Sequence, residues 1–130
     1  MWVVFDKDDF DDFDQAIKIA DRKGYRVAWS NQSFEYWLYL HFCYSDSALD
    51  RHDWNVKLSE IFRKKNIEYG EYRKKYKQLY DLVSKNGDVN KAIKNAKKRM
   101  EKFDREYDKP SEFDPGTTVY ELVEDLMKYL

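Results

Sequence analysis

Trp2-Val3-Val4-Phe5 is an apolar run that ends abruptly in Asp6-Lys7-Asp8-Asp9. Consecutive apolar side chains without polar alternation suit a strand buried on both faces of a parallel sheet. Ligand sites in open α/β sheets lie beyond the carboxyl ends of such strands, where Asp6 and Asp8 fall. Two carboxylates two residues apart at such a point can converge on one hard cation, Mg²⁺ or Mn²⁺. A local reading competes: Asp9, Asp11, Asp12 and Asp14 can cap and charge the start of a following helix. Spacing alone leaves both readings open.

The pattern after this strand predicts a βαβ unit. Asp12 or Asp14 caps a helix with Phe13, Ala16, Ile17 and Ala20 on its apolar face, and Gly24 suits the position just past its end. Tyr25 to Trp29 reads as a second strand, with a right-handed crossover between the two. Ser33 then caps a helix carrying Phe34, Trp37, Leu38, His41 and Phe42 on one stripe. Ser45 to Asp53 is polar and reads as a loop.

The rest of the chain reads as helical. One stripe holds Trp54, Leu58, Ile61 and Phe62. A second holds Tyr69, Tyr72, Tyr76, Leu79, Tyr80 and Val83. Asn86-Gly87 interrupts the pattern, and Asp88 caps a helix with Val89, Ala92, Ile93, Ala96, Met100 and Phe103. Both prolines lie between Lys109 and Gly116, which reads as a loop. Thr118 and Glu121 have the spacing of a capping box for a last helix with Val119, Leu122, Val123, Leu126 and Met127 inward. A sheet of two strands has exposed edges and needs helices over it or strands from another chain.

A chain of 130 residues is expected to form one domain, residues 1–130, with a βαβ-α portion over 1–44 and a helical portion over 53–130. Charged residues make up 38% of it, yet the apolar ones recur at helical spacing, which argues for a fold rather than disorder. The net charge of −1 conceals an asymmetry: Lys57 to Lys109 carries 17 basic and 9 acidic residues. No run resembles a signal peptide or is long enough to span a bilayer, so no membrane partner is expected. With Cys43 as the only cysteine, an intramolecular disulfide is impossible, and the cytoplasm is the simplest location.

Each remaining chemical candidate has a plainer alternative. Glu35 stands in the first turn of its helix at the same end of the sheet as Asp6 and Asp8. It can join a metal site or orient a water, or simply favour the helix N-terminus. His41, on an apolar stripe, reads as a core histidine before a catalyst. His41, Cys43 and His52 fall one ligand short of a structural zinc site, and Cys43 reads as a small buried apolar residue. Arg63, Lys64, Lys65, Arg73, Lys74, Lys75 and Lys77, followed by Lys97-Lys98-Arg99, can track the phosphates of a nucleic acid while interleaved tyrosines stack on bases. Equally, they can be the solvated face of amphipathic helices.

Four blocks together resemble one family. Asn31-Gln32-Ser33-Phe34-Glu35-Tyr36-Trp37-Leu38-Tyr39-Leu40-His41-Phe42 is similar to the Asn-x-x-Phe-Glu-x-Trp-Leu-x-x-His-Phe signature of RloB-like proteins. Val4-Phe5-Asp6-Lys7-Asp8-Asp9, Ala92 to Lys97, and Pro115 to Val123 follow the same family's order. The resemblance implies a component of bacterial restriction-associated or phage abortive-infection systems. It also implies a Toprim-like domain in which strand-end carboxylates hold Mg²⁺ for phosphodiester cleavage. Asp6 and Asp8 would be the metal ligands, Glu35 an accessory catalytic carboxylate, and the basic residues from Arg63 to Lys77 the nucleic-acid surface. The family's third carboxylate, on an earlier strand, would lie ahead of Met1, so this chain is expected to lack turnover alone and to cover its sheet edge as a symmetric dimer. The expected fold class is therefore α/β: a βαβ remnant of a Toprim-like parallel sheet followed by a mostly α-helical C-terminal part. A non-enzymatic module docking a partner ATPase or nucleic acid is the alternative function.

Overall fold

The computed structural model of the chain describes residues 1–7, 11–65 and 85–129. Asp8 and the tyrosine stripe from Tyr69 to Val83 lie outside these described residues. Strands β1 (Trp2–Asp6) and β2 (Arg26–Asn31) pair in parallel, with Trp2 opposite Arg26 and Asp6 opposite Ser30. Between them runs helix α1 (Phe13–Arg22), with Asp12 at its N-cap and Phe13 and Ala20 buried. Gly24 leaves the helix at φ +82°, a left-handed conformation that glycine adopts without a Cβ clash. The expected βαβ unit is present.

The sheet is nonetheless mixed rather than parallel. A short third strand, β3 (Gly116–Thr117), pairs antiparallel with the end of β2, giving the order β1-β2-β3. Residues 109–116 read as loop because a two-residue strand has no hydrophobic period to detect. Its pairing comes from side chains that look like turn formers: Ser30 and Thr117 hydroxyls bond at 2.8 Å. The amide of Thr118 donates to the Trp29 carbonyl at 2.8 Å, and Thr118 Oγ1 accepts from the Trp29 amide at 2.9 Å. The expected Thr118–Glu121 capping box therefore does not form. The hydroxyl extends the β2–β3 pairing, and Glu121 pairs with Arg105.

β2 is the strand buried on both faces. Val27 and Trp29 point into a cluster with Phe13, Met100, Phe103 and Phe113. Ala28, between them in the alternation, points into the larger helical cluster. β1 was expected to share this two-sided burial, but it lies at the edge, and Val4 is 50% exposed. One covered side of a strand suffices to keep an apolar run, so the run alone could not distinguish edge from centre.

Helix α2 (Phe34–Leu40) is enclosed nearly all round, burying Glu35, Tyr36, Trp37, Leu38 and Leu40. It packs on α3 (Arg51–Lys64) and α4 (Val89–Met100), which contribute Trp54, Leu58 and Phe62, and Ala92, Ala96 and Met100. Asp50 caps α3 by accepting from the Asp53 amide at 2.9 Å. Asp88 caps α4 through the amides of Asn90 and Lys91. The open carbonyls at the end of α2 are met from α4: Asn95 donates to Leu40, and the Asp88 amide to His41. Helix α5 (Val119–Met127) buries Val119, while Leu126 and Met127 are exposed rather than inward. Its other tie is polar: Asp125 accepts from Trp2 Nε1 at 3.0 Å and pairs with Arg26 at 3.4 Å. Cys43, expected inside, is exposed because it follows the last turn of α2.

Candidate functional site

The carboxyl end of β1 delivers Asp6 beside the end of β2, and the Lys7 amide continues the pairing by donating to the Ser30 carbonyl at 2.9 Å. Two residues past β2, Ser33 starts α2 and sets Glu35 in its first turn, where the side chain is only 1% exposed. The link between these carboxylates is Arg51, at the start of α3. Its Nη2 lies 3.3 Å from Asp6 Oδ2, and its Nε 3.9 Å from Glu35 Oε2.

Aromatic packing fixes this corner. The Trp54 ring sits 5.0 Å from Tyr36 and 5.1 Å from Tyr39, with interplanar tilts near 50° in both pairs (47° and 52°). Tyr36 follows Glu35 in the chain, and Trp54 is three residues after Arg51, on the same side of α3. Locking Tyr36 against Trp54 thereby carries Arg51 to the carboxylates. Tyr36 Oη donates to the Ser45 carbonyl at 2.7 Å, holding the connecting loop, and burial pushes this phenol far up from its usual range. It stays a neutral donor.

A second group borders the same end of the sheet. Asp114 precedes Pro115 and β3, and burial raises its carboxyl above the ordinary range against the opposing influence of Gln32, Lys7 and Arg99. Arg99 holds this turn, its Nε donating to the Pro115 carbonyl at 2.7 Å and its guanidinium stacking 4.3 Å over Phe113. Asn31 donates to the Pro110 and Ser111 carbonyls, and Asp14 accepts from the Ser111 amide at 2.9 Å. The turn over 110–115 is thus tied to both β2 and α1.

Of the expected site residues, the fold brings Asp6 and Glu35 together through Arg51. Asp8 lies outside the described residues, as do Arg73, Lys74, Lys75 and Lys77. Arg63, Lys64 and Lys65 are exposed at the end of α3, where positive charge also complements the helix C-terminus. The later basic triplet has intramolecular partners: Lys97 pairs with Glu124 at 2.8 Å, Lys98 lies 4.4 Å over the Tyr44 ring, and Arg99 holds the turn. His41 is a core residue. Its Nδ1 donates to the Trp37 carbonyl at 3.0 Å, and burial lowers its pKa. Sequence reasoning missed Arg51 because it sits in a stretch read as loop. The available signal was Asp50-x-x-Asp53-Trp54, a cap followed by an apolar stripe, which places the start of α3 at Arg51.

The donors at the strand end fit a hard divalent cation in kind. Asp6 and Glu35 supply carboxylate oxygens, and both already face one positive group. Among the described residues, no group of three or more His, Cys, Asp or Glu side chains is placed to hold a metal ion. Any cation there would draw further ligands from Asp8, the substrate or water.

The fold and this corner define an α/β protein with a carboxylate-bearing strand end bridged by an arginine. Residues 1–126 match the model of the family described as RloB-like protein, and the chain belongs to that family. No curated protein and no solved structure matches it. No helix among the described residues is long and apolar enough to cross a membrane.

Proposed function

We propose that this chain is a cytoplasmic component of a bacterial anti-phage defence system, of the abortive-infection or restriction-associated kind. Its strand end would be a Toprim-like, Mg²⁺-dependent nucleic-acid cleavage site. The convergence of Asp6 and Glu35 on one cationic position at the carboxyl end of a parallel strand pair carries this reading. Asp6 and Asp8 would hold Mg²⁺ or Mn²⁺, with Glu35 as the accessory carboxylate. Such a cation supplies a polarised water and neutralises phosphate charge. The chain's own part is to fix the carboxylates on rigid elements and to meet the nucleic acid with Arg63, Lys64, Lys65, Arg73, Lys74, Lys75 and Lys77. A second copy pairing along the open edge of β1 would make a symmetric dimer, which light scattering at micromolar concentration tests.

Titration calorimetry with Mn²⁺ tests the site. Binding is expected in the wild type and lost in Asp6→Asn with Asp8→Asn, and unchanged affinity in the double variant would overturn the assignment. Labelled single-stranded RNA and DNA then identify the substrate. The exposed Leu126 and Met127 favour a second reading, a module docking a partner ATPase through α5. Retained Mn²⁺-independent binding of the ATPase, abolished by Leu126→Glu, would support it.

A further inference from the structure

We infer that Arg51 is an internal counter-cation that occupies the divalent-metal position and must yield it when a metal binds. The inference deepens the reading of Asp6 as a metal ligand and rests on it. Arg51 reaches both carboxylates from one guanidinium, Asp6 at 3.3 Å and the deeply buried Glu35 at 3.9 Å. Carboxylates brought this close repel each other without a cation between them, and Glu35 has almost no solvent to screen its charge. The arginine supplies that cation in the metal-free chain.

The placement also allows exchange. The side chain of Arg51 is 37% exposed, against 1% for Glu35, so the guanidinium can swing toward water while the carboxylates stay fixed. Its backbone sits in the first helical turn, set by the Asp50 cap and the Trp54 anchor, so only the side chain has to move. Once displaced, its planar array of N–H donors lies beside the metal, where a phosphodiester oxygen of the substrate would sit. One residue thus holds the empty site together and gains a ligand when the site fills.

Three measurements test this on the full chain. Mn²⁺ affinity by calorimetry is expected to rise about tenfold in Arg51→Gln, because removing a competing unit charge at a partly screened separation gives a change of that order. Arg51→Lys, which keeps the charge but loses the fork, is expected to fall between the two and serves if Arg51→Gln does not fold. In the wild type, the NMR signal of Arg51 Nε–Hε is expected to move on saturation with diamagnetic Mg²⁺. Equal or weaker Mn²⁺ binding in both variants, or an Nε signal unmoved by bound Mg²⁺, would overturn the counter-cation role while leaving the metal site standing. If neither the wild type nor either arginine variant binds Mn²⁺, the metal reading itself fails. Binding in Arg51→Gln but not in the wild type would support both, with the arginine as the stronger competitor.

Discussion

Helices α2 and α3 meet in two places one helical turn apart, and the two follow different physics. At one, Tyr36, Tyr39 and Trp54 form a dry aromatic seam that continues through Phe42 and Phe62, with ring centroids 6.4 Å apart in the last pair. At the other, Glu35, Arg51 and Asp6 make a charged corner at the end of the sheet. Dispersion and water exclusion hold the seam, which has one good arrangement. The corner depends on a balance of charge and desolvation that a different cation can shift. Stability therefore belongs to the seam, and the candidate chemistry to the corner it positions.

The largest expected effect breaks the seam. Trp54→Ala is expected to cost about 3–5 kcal/mol, the range for a fully buried large aromatic, and to loosen Arg51 with it. Trp37→Ala, on the same helix and 3% exposed, is expected to cost a similar amount, about 3–5 kcal/mol. Denaturant unfolding checks both, and midpoints close to wild type would mean the seam is not the stabilising element. Thr118→Val comes next, at about 1–3 kcal/mol, because it leaves the buried Trp29 amide without its hydroxyl acceptor.

The pH dependence of stability sharpens the contrast. His41 is buried with its pKa below the usual value of 6.5, so the unfolded chain takes up a proton first as the pH falls. Its neutral form gives full stability above about pH 6.5, and stability falls as the pH drops from there toward the lower folded-state value. Thermal unfolding from pH 8 to 5 is expected to lose this slope in His41→Leu. The smallest expected effect lies in the corner: Asp6→Asn is expected to change stability by less than about 1 kcal/mol, because the ion pair with Arg51 is partly solvent-exposed. A loss as large as that of Trp54→Ala would show that the two places are one structural unit.

The sequence carried the elements whose signals are local. β1 was legible from its apolar run, α1 from its period and Gly24, α3 from the Trp54-Leu58-Phe62 stripe, and α4 from Asp88 and its alanine face. The carboxylates Asp6 and Glu35 were legible as candidates because strand ends and first helical turns can be read along the chain. Three things were decided only in three dimensions. Ser30, Thr117 and Thr118 build a third strand with hydroxyls that read as turn and cap chemistry, because their partners lie 87 and 89 residues away. The depth at which Leu126 and Met127 sit depends on where α5 meets the sheet, which its own period does not encode. Arg51 joins Asp6 across 45 residues of chain, through an aromatic contact between two other side chains. Local periodicity fixes which face of an element is apolar; which charge that face carries to which partner is set by packing between elements, and that is where the candidate site of this protein arises.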